Sequence, residues 1–266
     1  MSENWYDTGY DGVKKEEDRM NAFSPPRRFW VKVGEPKEFV FVSDEPFAIY
    51  EHNPKINGGF KNWITCVKGM YDTAPCCDEI GEQSRYYVGI YTVVDCSKFV
   101  SKNNTYQYEL KFLPAKVKSM KKFKRKREDL QSSGEGGLVG KMYRAIREDS
   151  KSPNIGDEFE FVKNADMEKL FQIANFAGKK LPELYAQASG NAPLAATALE
   201  RLQKTFDIQM EGGAIKNVIP QFNYLNLLKP KSPAELTYML KGKVEKDDDS
   251  NGAPPSNFGN SDSVPF

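Results

Sequence analysis

With 266 residues, a formal charge of +1 and 28% charged side chains, the chain can build one large core or a core with a smaller appendage. No apolar run approaches the length of a membrane-spanning helix, and the charged N-terminus MSENWYDTGYDGVKKEEDRM lacks the apolar stretch of a signal peptide, so a cytoplasmic protein is expected. The near-neutral total hides an asymmetry: residues 247–266 hold four Asp and no Lys or Arg, which leaves the rest at about +5, a basic body with an acidic end.

Residues 1–25 are polar with scattered Trp5, Tyr6 and Tyr10, and read as an arm outside the core. From residue 26 to 164 short runs rich in Val, Ile, Tyr and Phe follow one another: RRFWVKV, KEFVFVSD, PFAIYEH, NWITCV, RYYVGIYTVVDCS, TYQYELKFL, KMYRAIRE and DEFEFV. Gly and Pro clusters punctuate them, as expected of strands. The fold class expected is mainly β with α, built on a five-stranded antiparallel barrel, since closure removes sheet edges. In residues 165–245 the period changes. MEKLFQIANFAGKKLPELYAQA and PLAATALERLQKTF space apolar residues by three and four, which predicts amphipathic helices. Gly212-Gly213 predicts a hairpin turn, and Ser232-Pro233-Ala234-Glu235 is a capping box that opens a last short helix. Residues 246–266, rich in Asp, Ser, Asn, Gly and Pro, are expected to be a disordered acidic tail.

Cysteine usage fits a reducing compartment and a metal better than a disulfide framework. The sole histidine, His52, leads into a loop carrying Cys66, Cys76 and Cys77, four donors of the soft and borderline type that structural zinc takes in a tetrahedron. Adjacent cysteines strain a shared tetrahedron, so Asp78 or Glu79 is an alternative to one thiolate; Cys96, in an apolar strand, reads as a core residue. The zinc-binding loop is placed at about residues 50–82.

The run KVKSMKKFKRKR holds eight cations and no acid: Lys116, Lys118, Lys121, Lys122, Lys124, Arg125, Lys126 and Arg127. Such density before a Gly-rich loop predicts salt-sensitive binding of a nucleic-acid backbone; a nuclear localisation signal is the competing reading. Aromatic residues interleave with cations: Trp30 beside Arg28 and Lys32, Trp63 near Lys61, Tyr106 and Tyr108 before Lys111, and Tyr143 before Arg144. Rings on a basic face hold unpaired bases by stacking, which favours single strands over duplex. No phosphate-binding loop, triad or paired acid motif is present, so an enzyme is not expected.

Taken together, RRFWVKVGE, the block YEHN…NWITC…PCC…RYYVGIYTVVD, KMYRAIREDSKSPNIGDEFEFV and the acidic end resemble the single-stranded DNA-binding proteins of tailed bacteriophages, the group that includes the T-even helix-destabilising protein. The resemblance implies an oligonucleotide-binding (OB) barrel with an inserted zinc subdomain, acting in replication, recombination and repair in the host-cell cytoplasm. His52, Cys66 and Cys76 match the family's first three ligands. Its fourth falls on Glu79, where this chain offers Cys77, so the last ligand stays open. The family's basic N-terminal arm for cooperative self-association is replaced here by a mixed-charge one. The tip Asp262-Ser263-Val264-Pro265-Phe266 is similar to that of bacterial single-stranded DNA-binding proteins. This likeness implies a docking peptide, with Asp262, Val264, Pro265 and Phe266 as contacts, for polymerase, helicase, primase or loader proteins. The rival functions are a strand-annealing recombination mediator and a zinc-dependent nuclease.

Overall fold

The computed structural model describes residues 25–56, 59, 63–100, 105–190 and 193–240; the arm before residue 25 and residues 241–266, which include the acidic tail, lie outside them. The described chain is mixed α/β. Its strands are β1 (Lys37–Phe41), β2 (Phe47–His52), β3 (Ile64–Thr65), β4 (Tyr86–Asp95), β5 (Phe99–Val100), β6 (Thr105–Tyr106), β7 (Glu109–Lys116), β8 (Lys141–Ile146), β9 (Glu158–Asn164), β10 (Asn175–Phe176), β11 (Lys179–Lys180), β12 (Met210–Glu211) and β13 (Ala214–Ile215). Seven helices accompany them among the described residues: α1 (Pro75–Ile80), α2 (Val117–Ser132), α3 (Met167–Ile173), α4 (Leu181–Ala188), α5 (Pro193–Thr205), α6 (Tyr224–Leu227) and α7 (Pro233–Leu240).

Nine strands form one sheet in the order β11-β10-β7-β4-β1-β8-β9, with β2 also on β4 and β3 on β2. The centre is β4, YYVGIYTVVD, whose β-branched and aromatic residues are buried from Val88 to Asp95. One edge of β4 pairs β7 from Val88↔Lys116 to Asp95↔Glu109. Its other edge is divided, the C-terminal end against β1 and the N-terminal half against β2. Leu113 of β7 and Phe159 of β9, far apart in strand order, share a single cluster with Phe29, Phe39, Phe41 and Phe123, so the sheet is strongly curled. Residues 27–33, expected as a strand, run as an extended segment between the two ends: Phe29 N–H donates to Phe112 O (2.7 Å) and Val31 N–H to Asn154 O (2.7 Å). The curl stops short of the closed five-stranded barrel expected from the strand pattern, since β9 forms a ladder with β8 alone. The extra strands come from residues 165–180, which extend the sheet past β7.

The opposite face of the sheet carries Val40, Val88, Ile90, Leu110 and Phe112, on which Phe171, Leu184, Leu202, Phe206 and Phe222 pack. The helical region therefore shares a core with the sheet. The helix expected over residues 167–188 is split, because Ala177 and Gly178 take positive φ (51° and 78°) in the turn joining β10 to β11. The hairpin at Gly212-Gly213 forms as expected, with φ of 58° and 82° joining β12 to β13. So does the capping box: Glu235 N–H donates to Ser232 Oγ (3.3 Å) and Ser232 N–H to Glu235 Oε2 (2.8 Å).

A buried hydroxyl relay ties helix α6 to the centre of the sheet. Thr92 Oγ1 accepts from Phe222 N–H (3.0 Å) and meets Tyr224 Oη (2.7 Å), which lies 3.3 Å from Ser43 Oγ. Tyr224→Phe strands these groups away from water and is expected to cost about 1–3 kcal/mol in urea denaturation.

Candidate metal centre and nucleic-acid interface

Three side chains converge where β2 ends, β3 ends and α1 begins. The donor atoms of His52, Cys66 and Cys77 all lie within 4.8 Å of one another. Cys66 Sγ and Cys77 Sγ are 3.7 Å apart, and Cys77 Sγ is 3.5 Å from His52 Nε2. The imidazole is oriented from behind. Ser84 Oγ donates to Gly81 O (2.6 Å), so at His52 Nδ1 (3.0 Å) the hydroxyl can only accept. Nδ1 therefore carries the proton and the Nε2 lone pair faces the sulfurs, the tautomer a metal requires. Burial, reinforced by the Arg85 cation, holds the His52 pKa down at about 4, so the ring is neutral at neutral pH.

These separations fit a metal. Two thiolates and an imidazole at ordinary zinc bond lengths in a tetrahedron lie about 3.8 Å (S···S) and about 3.6 Å (S···N) apart. The group could thus hold a metal ion through His52, Cys66 and Cys77. Cys76, expected as a ligand, is outside the group. Successive residues of a helix point about 100° apart, and when Cys77 faces the donors Cys76 faces Ile64, Val67, Leu236 and Leu240. Burial pushes the Cys76 thiol up to about 12, in keeping with a neutral core residue. Asp78 and Glu79, the alternative ligands, are exposed and outside the group.

The basic run forms helix α2, whose Ser119 and Phe123 are buried against the curled sheet. Lys and Arg are good helix formers, and Val117, Met120, Phe123 and Leu130 recur at helical spacing. The helix sorts its cations. Arg127 is held by Glu45 and Asp44, Lys124 reaches Glu128 (3.6 Å), Lys122 donates to Asp157 O, and Lys126 lies 5.2 Å above the Tyr143 ring. Lys118, Lys121 and Arg125 are exposed, share one stripe of the helix, and have no ion pair with any described residue. Lys122, Arg125 and Lys126 also line an open cleft of about 450 Å³ against Glu158 and Glu160 of β9.

Several residues expected as nucleic-acid contacts are also engaged within the fold. Arg28 forks onto the buried Glu51 (2.8 and 2.6 Å) and stacks 3.8 Å from the Trp63 ring, which meets Tyr86 edge-on. Lys111 is buried against Asp95 (2.9 Å) and Glu109 (3.3 Å), because an acidic pair in the core requires a counter-charge. Tyr143, 2% exposed, packs on Phe39 and Phe41. Arg144 is shared by Glu38 and Glu160, and Lys32 pairs with Glu35 (2.5 Å). Trp30 is exposed under the Lys37 ammonium, Lys116 is exposed 5.7 Å from the Tyr86 ring, and Tyr108 is half-buried. Lys61, the side chain of Tyr106, and the docking residues Asp262, Val264, Pro265 and Phe266 lie outside the described residues.

A further aromatic site joins Tyr87, which follows Arg85 in the sequence, to Tyr50, which the sequence reading missed. Tyr50 of β2 and Tyr87 of β4 are register partners, 46% and 41% exposed, with ring centroids 5.1 Å apart and the Arg85 guanidinium 4.6 Å from the Tyr50 ring. One pair further along the same face stand Ala48 and Gly89, where α2 packs. A Cβ at Gly89 would collide with the movable tip of Met120 and lie 2.8 Å from Pro46 Cβ, so glycine favours this close approach. The alternation in FAIYEH was the available signal for Tyr50.

No protein-family model, curated protein or solved structure matches the chain. Among the described residues no helix is long and apolar enough to cross a membrane.

Burial pushes the Cys77 thiol up to about 11 while His52 is already neutral, so Zn²⁺, which binds Cys77 as thiolate, is expected to release at least one proton per ion, and affinity should fall as pH is lowered. Calorimetry in buffers of different ionisation enthalpy measures this number. Separately, Lys111→Met removes the counter-charge of Asp95 and Glu109 and should cost about 3–5 kcal/mol of stability, read by urea denaturation.

Proposed function

We propose that the protein coats single-stranded DNA without sequence preference and without catalysing a reaction. The observation that carries this reading is the Lys118–Lys121–Arg125 stripe on α2, whose helix packs on Gly89 beside the exposed Tyr50–Tyr87 pair. Free cations supply attraction to phosphates, and rings with an open face supply stacking that every base can use. Duplex DNA hides its base faces, so the rings contribute nothing there. The curled sheet, its ends bridged by residues 27–33, is read as a variant of the OB barrel. The His52–Cys66–Cys77 group is read as a structural zinc site, with the fourth coordination position left to a group outside this set of three. Zinc supplies a cross-link there. The chain's own part is to present a neutral imidazole, fixed by Ser84, and two thiols on short elements. The acidic segment 247–266 is read as a docking peptide for replication, recombination and repair proteins.

Fluorescence anisotropy of a labelled oligo-dT, titrated with protein at several salt concentrations and competed with duplex, tests the reading. Tight and salt-steep binding that duplex displaces poorly is expected; equal displacement by duplex would reject it. Replacing Lys118, Lys121 and Arg125 by Ala together should flatten the slope of log K against log salt by about 2. Tyr50→Ala and Tyr87→Ala should each weaken binding by about 1–3 kcal/mol with the slope unchanged.

A further inference from the structure

The metal group does not stand on a core of its own. Helix α1 has six residues and β3 two, too few for either to hold its conformation unaided. Their apolar residues Ile64, Val67 and Cys76, each 5% exposed or less, are completed by Leu236 and Leu240 of α7, with Ile56, Ala74 and Met239 around them. Three of these five buried positions belong to the same short segments that bear the donors: Cys66 lies between Ile64 and Val67, and Cys77 follows Cys76. A second tie runs to the end of α6, Thr65 Oγ1 donating to the C-cap Leu228 O (2.9 Å), five residues before α7. Helix α7 is the last described element, and in sequence the acidic segment 247–266 follows it after the six residues KGKVEK.

We propose that metal binding and docking of α7 are one cooperative event, with α1 as the shared element: Cys77 faces the ion, Cys76 packs against the helix, and occupancy of the group sets how firmly the acidic segment is anchored. This rests on the metal reading of His52, Cys66 and Cys77 and is independent of nucleic-acid binding. The physical reason is linkage. An ion that binds only the folded arrangement of residues 64–84 stabilises everything that must be folded for that arrangement to exist, and α7 supplies two of the five buried residues of its apolar cluster. The coupling is reciprocal, so loosening α7 weakens the metal.

Hydrogen exchange on the full chain, read by mass spectrometry with free Zn²⁺ at about 100 times its dissociation constant and again with EDTA, measures the coupling. Amide protection in residues 233–240 is expected to fall on chelation by the same factor as in residues 64–84, about 100-fold at that loading. The β4–β7 ladder should be unaffected, which reports that the remaining fold is intact. Loss confined to residues 64–84 would overturn the proposal, as would no change in either segment. Two variants separate packing from ligation. Cys76→Ala should keep one Zn²⁺ per chain in a chromogenic-chelator competition while lowering protection in α7; loss of the ion would make Cys76 a ligand and overturn the assignment. Leu236→Ala should weaken Zn²⁺ affinity by the factor it removes from α7 protection, and unchanged affinity would show that the helix and the ion are independent.

Discussion

Every part of the molecule hangs on the pairing of β4, a strand too long for any single partner on one of its edges. On that edge β1 takes the last residues and β2 the first, while β7 runs along the other edge from Val88 to Asp95. A strand shared in this way obliges the chain to turn sharply between β1 and β2, and the sheet curls about the turn. The concave side fills with Phe39, Phe41, Tyr91 and Phe123, and the convex side receives the helical region. Because β2 continues past the edge covered by α2, Tyr50 and Tyr87 are left without a cover, while the far end of β2 delivers His52 to the metal group. The open rings and the donor cluster are thus two consequences of one overhang.

Arg85 connects those consequences. Its guanidinium lies against Tyr50, pairs with Glu82 (2.9 Å), and its charge helps keep His52 neutral. Immediately before it, at the end of the 3-10 turn Glu82–Ser84, Ser84 holds the imidazole by its far nitrogen. A cation at this point favours thiolates over thiols and leaves the imidazole unprotonated, which is the state in which the three donors can act together.

Much of this was legible in the residues and some was not, for reasons that can be named. β4, β1 and β9 announced themselves by β-branched and aromatic runs, and the Gly212-Gly213 turn and the Ser232–Glu235 box by local chemistry that needs no distant partner. His52, Cys66 and Cys77 were found because few residue types bind soft metals. Their neighbour Cys76 was not distinguishable, since only the phase of a six-residue helix decides which thiol faces the donors. Charge density concealed the helical spacing of Val117, Met120, Phe123 and Leu130 in α2. Closure of the barrel was expected because it removes sheet edges, whereas the pairing of β10 with β7 depends on contacts between residues more than sixty positions apart.

The cations show most clearly where sequence reading ends. Arg28, Lys111 and Lys118 look alike in a list of basic residues near aromatics. Their fates differ because Glu51, Asp95 and Glu109 are buried acids, and a buried carboxylate without a partner is far more costly than an exposed lysine without one. Arg28 and Lys111 are therefore committed to the fold before any ligand arrives. Lys118, Lys121 and Arg125, on the solvent side of a helix anchored by Phe123, meet no such demand. What distinguishes a cation left open to solvent from a structural one is the burial of the nearest acid, a property of the packed chain that no count of lysines contains.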